Sequence, residues 1–124
     1  MIISVGTDVV SIPRFEGVLQ RTEKFKDRVF TAQELLLSSG NPRSTTSLAG
    51  IFAAKEAIAK ALGAPPGLNW HHCEISHAAS GKPEVNIKDS ILEVANSLGI
   101  SKWHLSISHD AELAIAFVVA EGNQ

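Results

Sequence analysis

The chain has 124 residues, 44% of them hydrophobic, with a formal net charge of −2. This length predicts a single domain over residues 1–124 that buries a core without disulfides or structural metals, and the slight acidic excess argues against a nucleic-acid binder. The chain has no apolar run long enough to cross a membrane, no signal-peptide pattern and a lone Cys73, which together predict a cytoplasmic protein.

The first half of the chain predicts one strand and three helices. Residues 1–10 are rich in Ile and Val, which favours a strand. Residues 11–21 predict a helix, with Ser11 as its cap and a proline in its first turn. Residues 31–37 begin with the Thr-x-x-Glu spacing of a capping box and predict a short helix. Residues 47–62 predict a long Ala-rich helix that a glycine and two prolines end.

The second half predicts four strands and one further helix. The strands are expected at residues 70–79, 84–87, 103–108 and 113–120, and the helix at residues 88–99. Residues 109–112 then have the length of a hairpin loop. The fold class that follows is α+β, with a mainly antiparallel sheet packed against a long central helix.

Asp8 lies in an apolar setting, after Ile3 and Val5 and before Val9 and Val10. An ionised carboxylate there is costly unless it is paired, hydrogen-bonded or bound to a metal. The simpler interpretation is an acid at a strand end that caps the next helix or faces water.

The long helix carries three charged residues close together. Glu56 and Lys60 are i, i+4 neighbours on one face, while Lys55 projects from the middle of the apolar arc. Taken separately, Glu56 and Lys60 could form an ordinary surface pair, and the stem of Lys55 could snorkel to the edge of the core. In a helix that is otherwise nearly all aliphatic, the three together indicate a functional site.

Two other patterns resemble binding motifs but lack key residues. His71, Cys73 and His77 share one face of a strand, yet no second pair of ligands occurs to complete a zinc site. The turn at residues 80–83 fails as a phosphate-binding P-loop, because Pro83 stands where a Ser or Thr would contact magnesium.

Basic residues cluster between positions 14 and 28 and alternate with acids. A solvated surface is the simple interpretation, and a docking patch for an acidic protein is the functional one. The candidates for docking are Arg14, Arg21 and Arg28.

Four motifs, in this order, resemble those of the holo-acyl-carrier-protein synthases, the short class of 4′-phosphopantetheinyl transferases. They are Val5-Gly6-Thr7-Asp8, the Phe-x-x-Lys-Glu-x-x-x-Lys of residues 52–60, Gly81-Lys82-Pro83, and Ser106-Ile107-Ser108-His109. The matches span nearly the whole chain. The resemblance implies transfer of phosphopantetheine from coenzyme A to a serine of an acyl carrier protein, with release of adenosine 3′,5′-bisphosphate.

The resemblance also implies roles for individual residues. Asp8 and Glu56 would hold Mg²⁺ against the pyrophosphate of coenzyme A, and Lys60 would contact the phosphates. Glu56, or a water molecule on the metal, would take the serine proton, and the two alternatives stay open. The coenzyme A site would be lined by Gly81, Lys82, Pro83, Ser108 and His109.

The implied partner is an acyl carrier protein, or a carrier domain of a fatty acid synthase, whose acidic helix Arg14, Arg21 and Arg28 would face. The chain departs from many relatives at Ile51, where they carry an Arg, and Arg43 is a candidate substitute. Longer transferases resemble two fused copies of this unit, so the resemblance implies a homotrimer with sites at the subunit interfaces.

Two other functions compete with this one, and the first of them is not enzymatic. A non-catalytic binding module would have little use for the two acids, Asp8 and Glu56. Another magnesium-dependent phosphoryl-transfer enzyme is disfavoured, because neither a P-loop nor a kinase-type Gly-rich loop is present.

Overall fold

The computed structural model describes residues 1–123 of the chain. In chain order the elements are β1 (Ile2–Ser11), α1 (Ile12–Arg21), α2 (Phe25–Val29), α3 (Thr45–Ala61), a 3-10 helix (Trp70–His72), β2 (Cys73–His77), β3 (Pro83–Ile87), α4 (Asp89–Ser97), β4 (Lys102–Asp110) and β5 (Leu113–Glu121). Within this range no helix has both the length and the apolar character needed to span a membrane.

The strands form two antiparallel sheets. A three-stranded sheet has the order β1-β5-β4, and β2 pairs with β3 in a separate hairpin. Helix α3 packs against the three-stranded sheet and is buried along most of its length. The predicted α+β class, with an antiparallel sheet against a long central helix, is confirmed.

Helix α3 and strand β1 approach each other unusually closely because small residues face each other. A Cβ atom at Gly6 would collide with the carbonyl oxygen of Ala57. Ala53 and Ala57 are themselves completely buried. The glycine of the first motif therefore permits the close contact, and Asp8, two residues further along the same face of β1, is held beside α3.

The predicted helix at residues 11–21 is confirmed, including its cap. The Ser11 hydroxyl accepts a hydrogen bond from the backbone N–H of Arg14 at 3.3 Å. The long helix begins at Thr45, slightly earlier than predicted, where the Ser44 hydroxyl accepts from the N–H of Ser47 at 3.1 Å.

The predicted helix at residues 31–37 is wrong, although its capping box forms. The N–H of Thr31 donates to Glu34 Oε1 at 2.9 Å, and the N–H of Glu34 donates to Thr31 Oγ1 at 3.2 Å. The chain then turns back, because Arg43 donates to the carbonyl oxygens of Glu34 and Leu36 at 2.9 and 3.2 Å. These are carbonyls that a continuing helix would use for its own hydrogen bonds.

Other boundaries also differ from the prediction. Helix α2 was not expected, and the first three residues of the expected strand at 70–79 form the 3-10 helix instead. The β4–β5 turn consists only of Ala111 and Glu112, whose φ angles are +49° and +65°. His109 therefore belongs to β4, paired with Ala114, rather than to a loop.

Candidate active site

Asp8 and Lys60 meet where β1 crosses α3. Lys60 Nζ lies 2.8 Å from Asp8 Oδ1 and donates a second hydrogen bond to the carbonyl oxygen of Thr7 at 3.1 Å. The side chain of Lys60 is 52% exposed and that of Asp8 is 15% exposed. The hydrogen bond and the charge of Asp8 raise the pKa of Lys60, so this ammonium is charged at neutral pH.

Glu56 opens into the same space as Asp8. Both line a cavity of about 350 Å³, here called the carboxylate cavity. Its other lining residues are Val9, Val10, Ser11, Arg14, Phe15, Val18, Phe25 and Phe52. Burial raises the pKa of Glu56, the charge of Asp8 raises it further, and the charge of Lys60 works in the opposite direction.

The donor chemistry of the carboxylate cavity fits Mg²⁺. Asp8 and Glu56 contribute hard oxygen donors, and the repulsion between the two carboxyls is the kind that a divalent cation relieves. Within residues 1–123 no group of three or more His, Cys, Asp or Glu side chains converges to hold a metal. An ion bound here would need water and substrate oxygens as further ligands, which is how Mg²⁺ is usually held.

A second cavity, of about 390 Å³, lies at the N-terminal end of α3 and is here called the histidine cavity. It brings together three residues of the predicted coenzyme A site, Gly81, Pro83 and His109. The remaining lining residues are Ser44, Thr46, Ser47, Gly50, Ile51, His77 and Ile107. Burial, followed by the charge of Arg43, lowers the pKa of His77, which favours the neutral imidazole.

The structure separates the other two predicted coenzyme A residues from this cavity. Lys82 is exposed on the β2–β3 turn and is not among the lining residues. Ser108 lies on the opposite face of β4 from His109, in register with Ile115 on the outer side of the sheet.

The environment of Ile51 is apolar, and Arg43 is engaged elsewhere. Ile51 is 1% exposed. The Arg43 guanidinium donates to the Ser47 hydroxyl at 3.0 Å, in addition to its two bonds to loop carbonyls. It therefore holds the loop before α3 and does not line the histidine cavity.

The three candidate docking arginines lie on the surface of α1 and α2. Arg14 and Arg21 share one face of α1, and Gly17 between them leaves room for the Arg21 guanidinium, since a Cβ there would lie 3.0 Å from Arg21 Nη1. Arg28 is exposed on α2. Within residues 1–123 none of the three forms an ion pair with a carboxylate.

Lys55 does not snorkel, and that interpretation is wrong. It is 1% exposed and pairs with Glu34 Oε1 at 2.7 Å, inside the chain. Sequence reasoning missed Glu34 as the partner. Two signals were available in the sequence. A lysine on an apolar helix face needs a buried carboxylate as its partner. The capping box already placed the Glu34 carboxylate in a turn of defined geometry.

The residues of the apparent zinc pattern have other partners. His71 Nε2 lies 2.6 Å from the carbonyl oxygen of Asp27, and His77 lines the histidine cavity. Burial raises the pKa of Cys73 to about 12, which keeps the thiol protonated at neutral pH.

Comparison with known proteins matches the chain over nearly its whole length. The model of the 4′-phosphopantetheinyl transferase superfamily matches residues 4–118. The chain is 53% identical to a holo-[acyl-carrier-protein] synthase of Salinispora arenicola over 121 residues, which cover 98% of this chain and 99% of the relative.

Solved structures agree with this match. The crystal structure of holo-[acyl-carrier-protein] synthase from Neisseria meningitidis superposes with a TM-score of 0.85 at 36% identity, covering 98% of this chain and 99% of that one. The Helicobacter pylori enzyme in complex with coenzyme A gives a TM-score of 0.81 at 34% identity, with coverage of 94% and 99%. The chain therefore belongs to the 4′-phosphopantetheinyl transferase superfamily and, within it, to the holo-[acyl-carrier-protein] synthases.

Proposed function

We propose that this protein transfers the 4′-phosphopantetheine group of coenzyme A to a serine hydroxyl of an acyl carrier protein and releases adenosine 3′,5′-bisphosphate. The observation that carries the proposal is the convergence of Asp8, Glu56 and Lys60 at one crossing of strand and helix. In this reaction the serine oxygen forms a bond to the β-phosphorus. The bond between that phosphorus and the oxygen that bridges the two phosphates breaks, and the oxygen leaves with adenosine 3′,5′-bisphosphate.

The three residues suit a reaction on a pyrophosphate. Asp8 and Glu56 would hold Mg²⁺, which when bound supplies positive charge against the phosphate oxygens. Lys60 is half exposed beside Asp8, so its ammonium can also contact phosphate oxygens as negative charge gathers on the leaving group. Glu56 lines the cavity beside Asp8, so its carboxylate lies where it could also accept the proton of the attacking hydroxyl.

The nucleotide end of coenzyme A is assigned to the histidine cavity, where Gly81, Pro83 and His109 meet. Lys82 on the same turn and Ser108 on the other face of β4 lie outside this cavity, so their contacts are assigned to a ligand shared with a neighbouring copy. Because the carboxylate cavity and the histidine cavity are separate within one chain, a complete site would combine cavities of two copies.

The outer face of the three-stranded sheet supports assembly into a homotrimer. Large apolar side chains of β1 and β5 are exposed there, including Val5 at 53%, Val9 at 57% and Phe117 at 47%. Ile115 and Leu113 continue the same face, at 39% and 37%. A contiguous apolar surface of this kind typically marks an interface. Light scattering tests the assembly, and a stable, active monomer would contradict it.

The carrier protein is assigned to the surface formed by α1 and α2. Arg14 and Arg21 there are exposed without carboxylate partners in the described chain, and Arg14 also lines the carboxylate cavity. An acidic helix docked on this surface would place a serine near the cavity, and complementary charge would speed the encounter. The partner is then a cytoplasmic acyl carrier protein or a carrier domain of a fatty acid synthase.

The deciding experiment mixes the protein with coenzyme A, Mg²⁺ and an apo acyl carrier protein, and measures the carrier's mass. We expect a gain of one phosphopantetheine group, abolished by EDTA and strongly slowed by Asp8→Asn. Glu93→Gln, a charge removal at an exposed position of α4, serves as a matched control and should leave transfer unchanged. Carrier that binds to the folded protein but gains no mass would instead identify a binding module.

A further inference from the structure

A buried ion pair outside both cavities joins α3 to the turn after α2. The side chains of Glu34 and Lys55 are completely inaccessible to solvent, and Lys55 Nζ lies 2.7 Å from Glu34 Oε1. None of the lining residues of the carboxylate cavity belongs to this pair, although Lys55 directly precedes Glu56 on α3.

Every hydrogen-bonding group of the pair has a partner inside the chain. The lysine ammonium has three donors, which reach Glu34 Oε1, the carbonyl oxygen of Val29 at 2.8 Å and the carbonyl oxygen of Trp70 at 3.0 Å. The Glu34 carboxylate also accepts from the N–H of Thr31 at 2.9 Å and of Ile75 at 2.8 Å. Across residues 1–123 no buried side-chain polar atom lacks a partner.

These bonds tie α3 to α2, two of the three helices that carry the aromatic side of the carboxylate cavity. We call Phe15, Phe25 and Phe52, which line that cavity, the aromatic wall. Phe15 stacks on Phe52 with ring centroids 5.5 Å apart, and Phe25 meets Phe52 edge-on at 5.6 Å.

Lys55 reaches the aromatic wall indirectly, at two points, through residues that pack against it. Its Nζ lies 5.9 Å from the ring centroid of Phe30, which meets Phe15 edge-on at 6.2 Å. Its second point is the carbonyl of Trp70, a residue whose ring lies 6.3 Å from that of Phe52. One ammonium thus holds the segments that carry Val29 and Trp70 against α3.

Stability alone is a poor reason for a buried ion pair. Replacing such a pair with well-packed neutral side chains of similar volume is often neutral or stabilising, because two charges no longer have to be removed from water. What the pair supplies is one defined arrangement, since three donors and three fixed acceptors allow few alternatives.

We propose that Glu34 and Lys55 are positioning residues that fix the aromatic wall, and through it the relative placement of Glu56 and the docked carrier serine. They touch no substrate and act through Phe15, Phe25 and Phe52. The catalytic part of this inference rests on the proposed function, whereas the structural part does not.

The structural part is tested by fluorine NMR on protein labelled with 3-fluorophenylalanine. The chain has five phenylalanines, four of them in the cluster around Lys55, and the fifth, Phe117, on the outer sheet face. In the paired variant Glu34→Gln/Lys55→Met we expect the four cluster resonances to shift or broaden and that of Phe117 to stay. Unchanged cluster resonances would overturn the proposal.

The catalytic part is tested by steady-state transfer with the same paired variant. We expect kcat to fall at least tenfold while KM for coenzyme A stays within twofold. Ile91→Val, a small core deletion on α4 that lines neither cavity, controls for stability loss and should keep the parent kcat.

The outcomes are distinguishable. An altered wall with the parent kcat would refute the positioning role and leave the proposed function intact. No transfer by the parent protein would refute the proposed function, and the NMR result would still decide whether the pair fixes the wall. Because Lys55→Met alone leaves a carboxylate buried without its partner, the paired variant is the decisive one.

Discussion

Helix α3 carries two lysines five residues apart, and each belongs to a group of charged side chains. The first group is Lys55 with Glu34, and the second is Lys60 with Asp8 and Glu56. The two groups differ in how their charges are partnered. Lys55 is buried with all three donors used inside the chain, whereas Lys60 is half exposed and pairs with Asp8, one of the two carboxyls that line the carboxylate cavity. The first group is complete without a ligand. The second contains two carboxyls close enough for one to raise the pKa of the other, and a bound cation would relieve this repulsion.

The difference teaches how to separate structural from functional charges on one helix. Completed hydrogen bonding with no solvent access indicates a charge that the fold uses itself. Partial exposure, an incomplete set of partners and a shifted pKa indicate a charge directed at something outside the chain. The following predictions test this contrast, in order of decreasing effect.

The largest expected effect is on transfer. Asp8→Asn or Glu56→Gln should lower kcat/KM by about 10²–10³-fold, because each variant removes one of the two negatively charged groups that line the carboxylate cavity. Mass spectrometry of the carrier measures the transfer, and circular dichroism checks the fold. Near-parent turnover in either variant would show that the carboxyl replaced in that variant is not needed for transfer.

The second prediction compares the two lysines directly by urea denaturation. Lys55→Met should lower the free energy of unfolding by about 3–5 kcal/mol, because Glu34 is left buried without its partner. Lys60→Met should change it by less than about 1 kcal/mol, since the lysine end of its pair with Asp8 is half exposed. Equal losses in the two variants would remove the contrast between the groups.

A third prediction concerns carrier docking on α1. Arg14→Glu should raise KM for the carrier protein about tenfold, the equivalent of one charge contact of roughly 1.4 kcal/mol, and leave KM for coenzyme A nearly unchanged. Lys88→Glu, an exposed charge reversal at the N-terminal end of α4, is the matched control. Equal changes in both KM values for Arg14→Glu would argue against docking on this surface.

The smallest expected effect is on the stability of the metal-free protein. The pKa of Glu56 is raised above its ordinary value of 4.5, so the folded state binds this proton more tightly than the unfolded state does. Glu56 therefore costs stability as the pH rises above 4.5, and Glu56→Gln should raise the thermal midpoint at pH 7.5, with EDTA present, but not at pH 4. A lower midpoint for Glu56→Gln at pH 7.5 would contradict a raised pKa for Glu56 in the folded protein.

Local sequence predicted the secondary structure correctly where no distant residue competes for the same backbone hydrogen bonds. This holds for the cap at Ser11, for the long Ala-rich helix and for the approximate positions of the five strands along the chain. The capping box at Thr31 was predictable as hydrogen bonds but not as a helix, because Arg43 from a later loop takes the carbonyls that a helix requires.

The candidate site was predictable as far as its motifs reach. Asp8, Glu56 and Lys60 were grouped by motif, and the structure brings them together through the close approach at Gly6. The division of Ser108 and His109 between two faces of the sheet was hidden, because it depends on a turn of only two residues that extends β4. The roles of all these residues stay predictions until the variants are measured.

The sequence by itself determined the family, the α+β class and the residues at which chemistry is expected, because motifs and periodicity are properties of the chain. Only the tertiary structure decided which charges complete each other. The partner of Lys55 lies 21 positions earlier, at Glu34, and its other acceptors are carbonyls of distant segments. Such long-range pairing depends on how α2, α3 and β2 pack, and no local pattern encodes it.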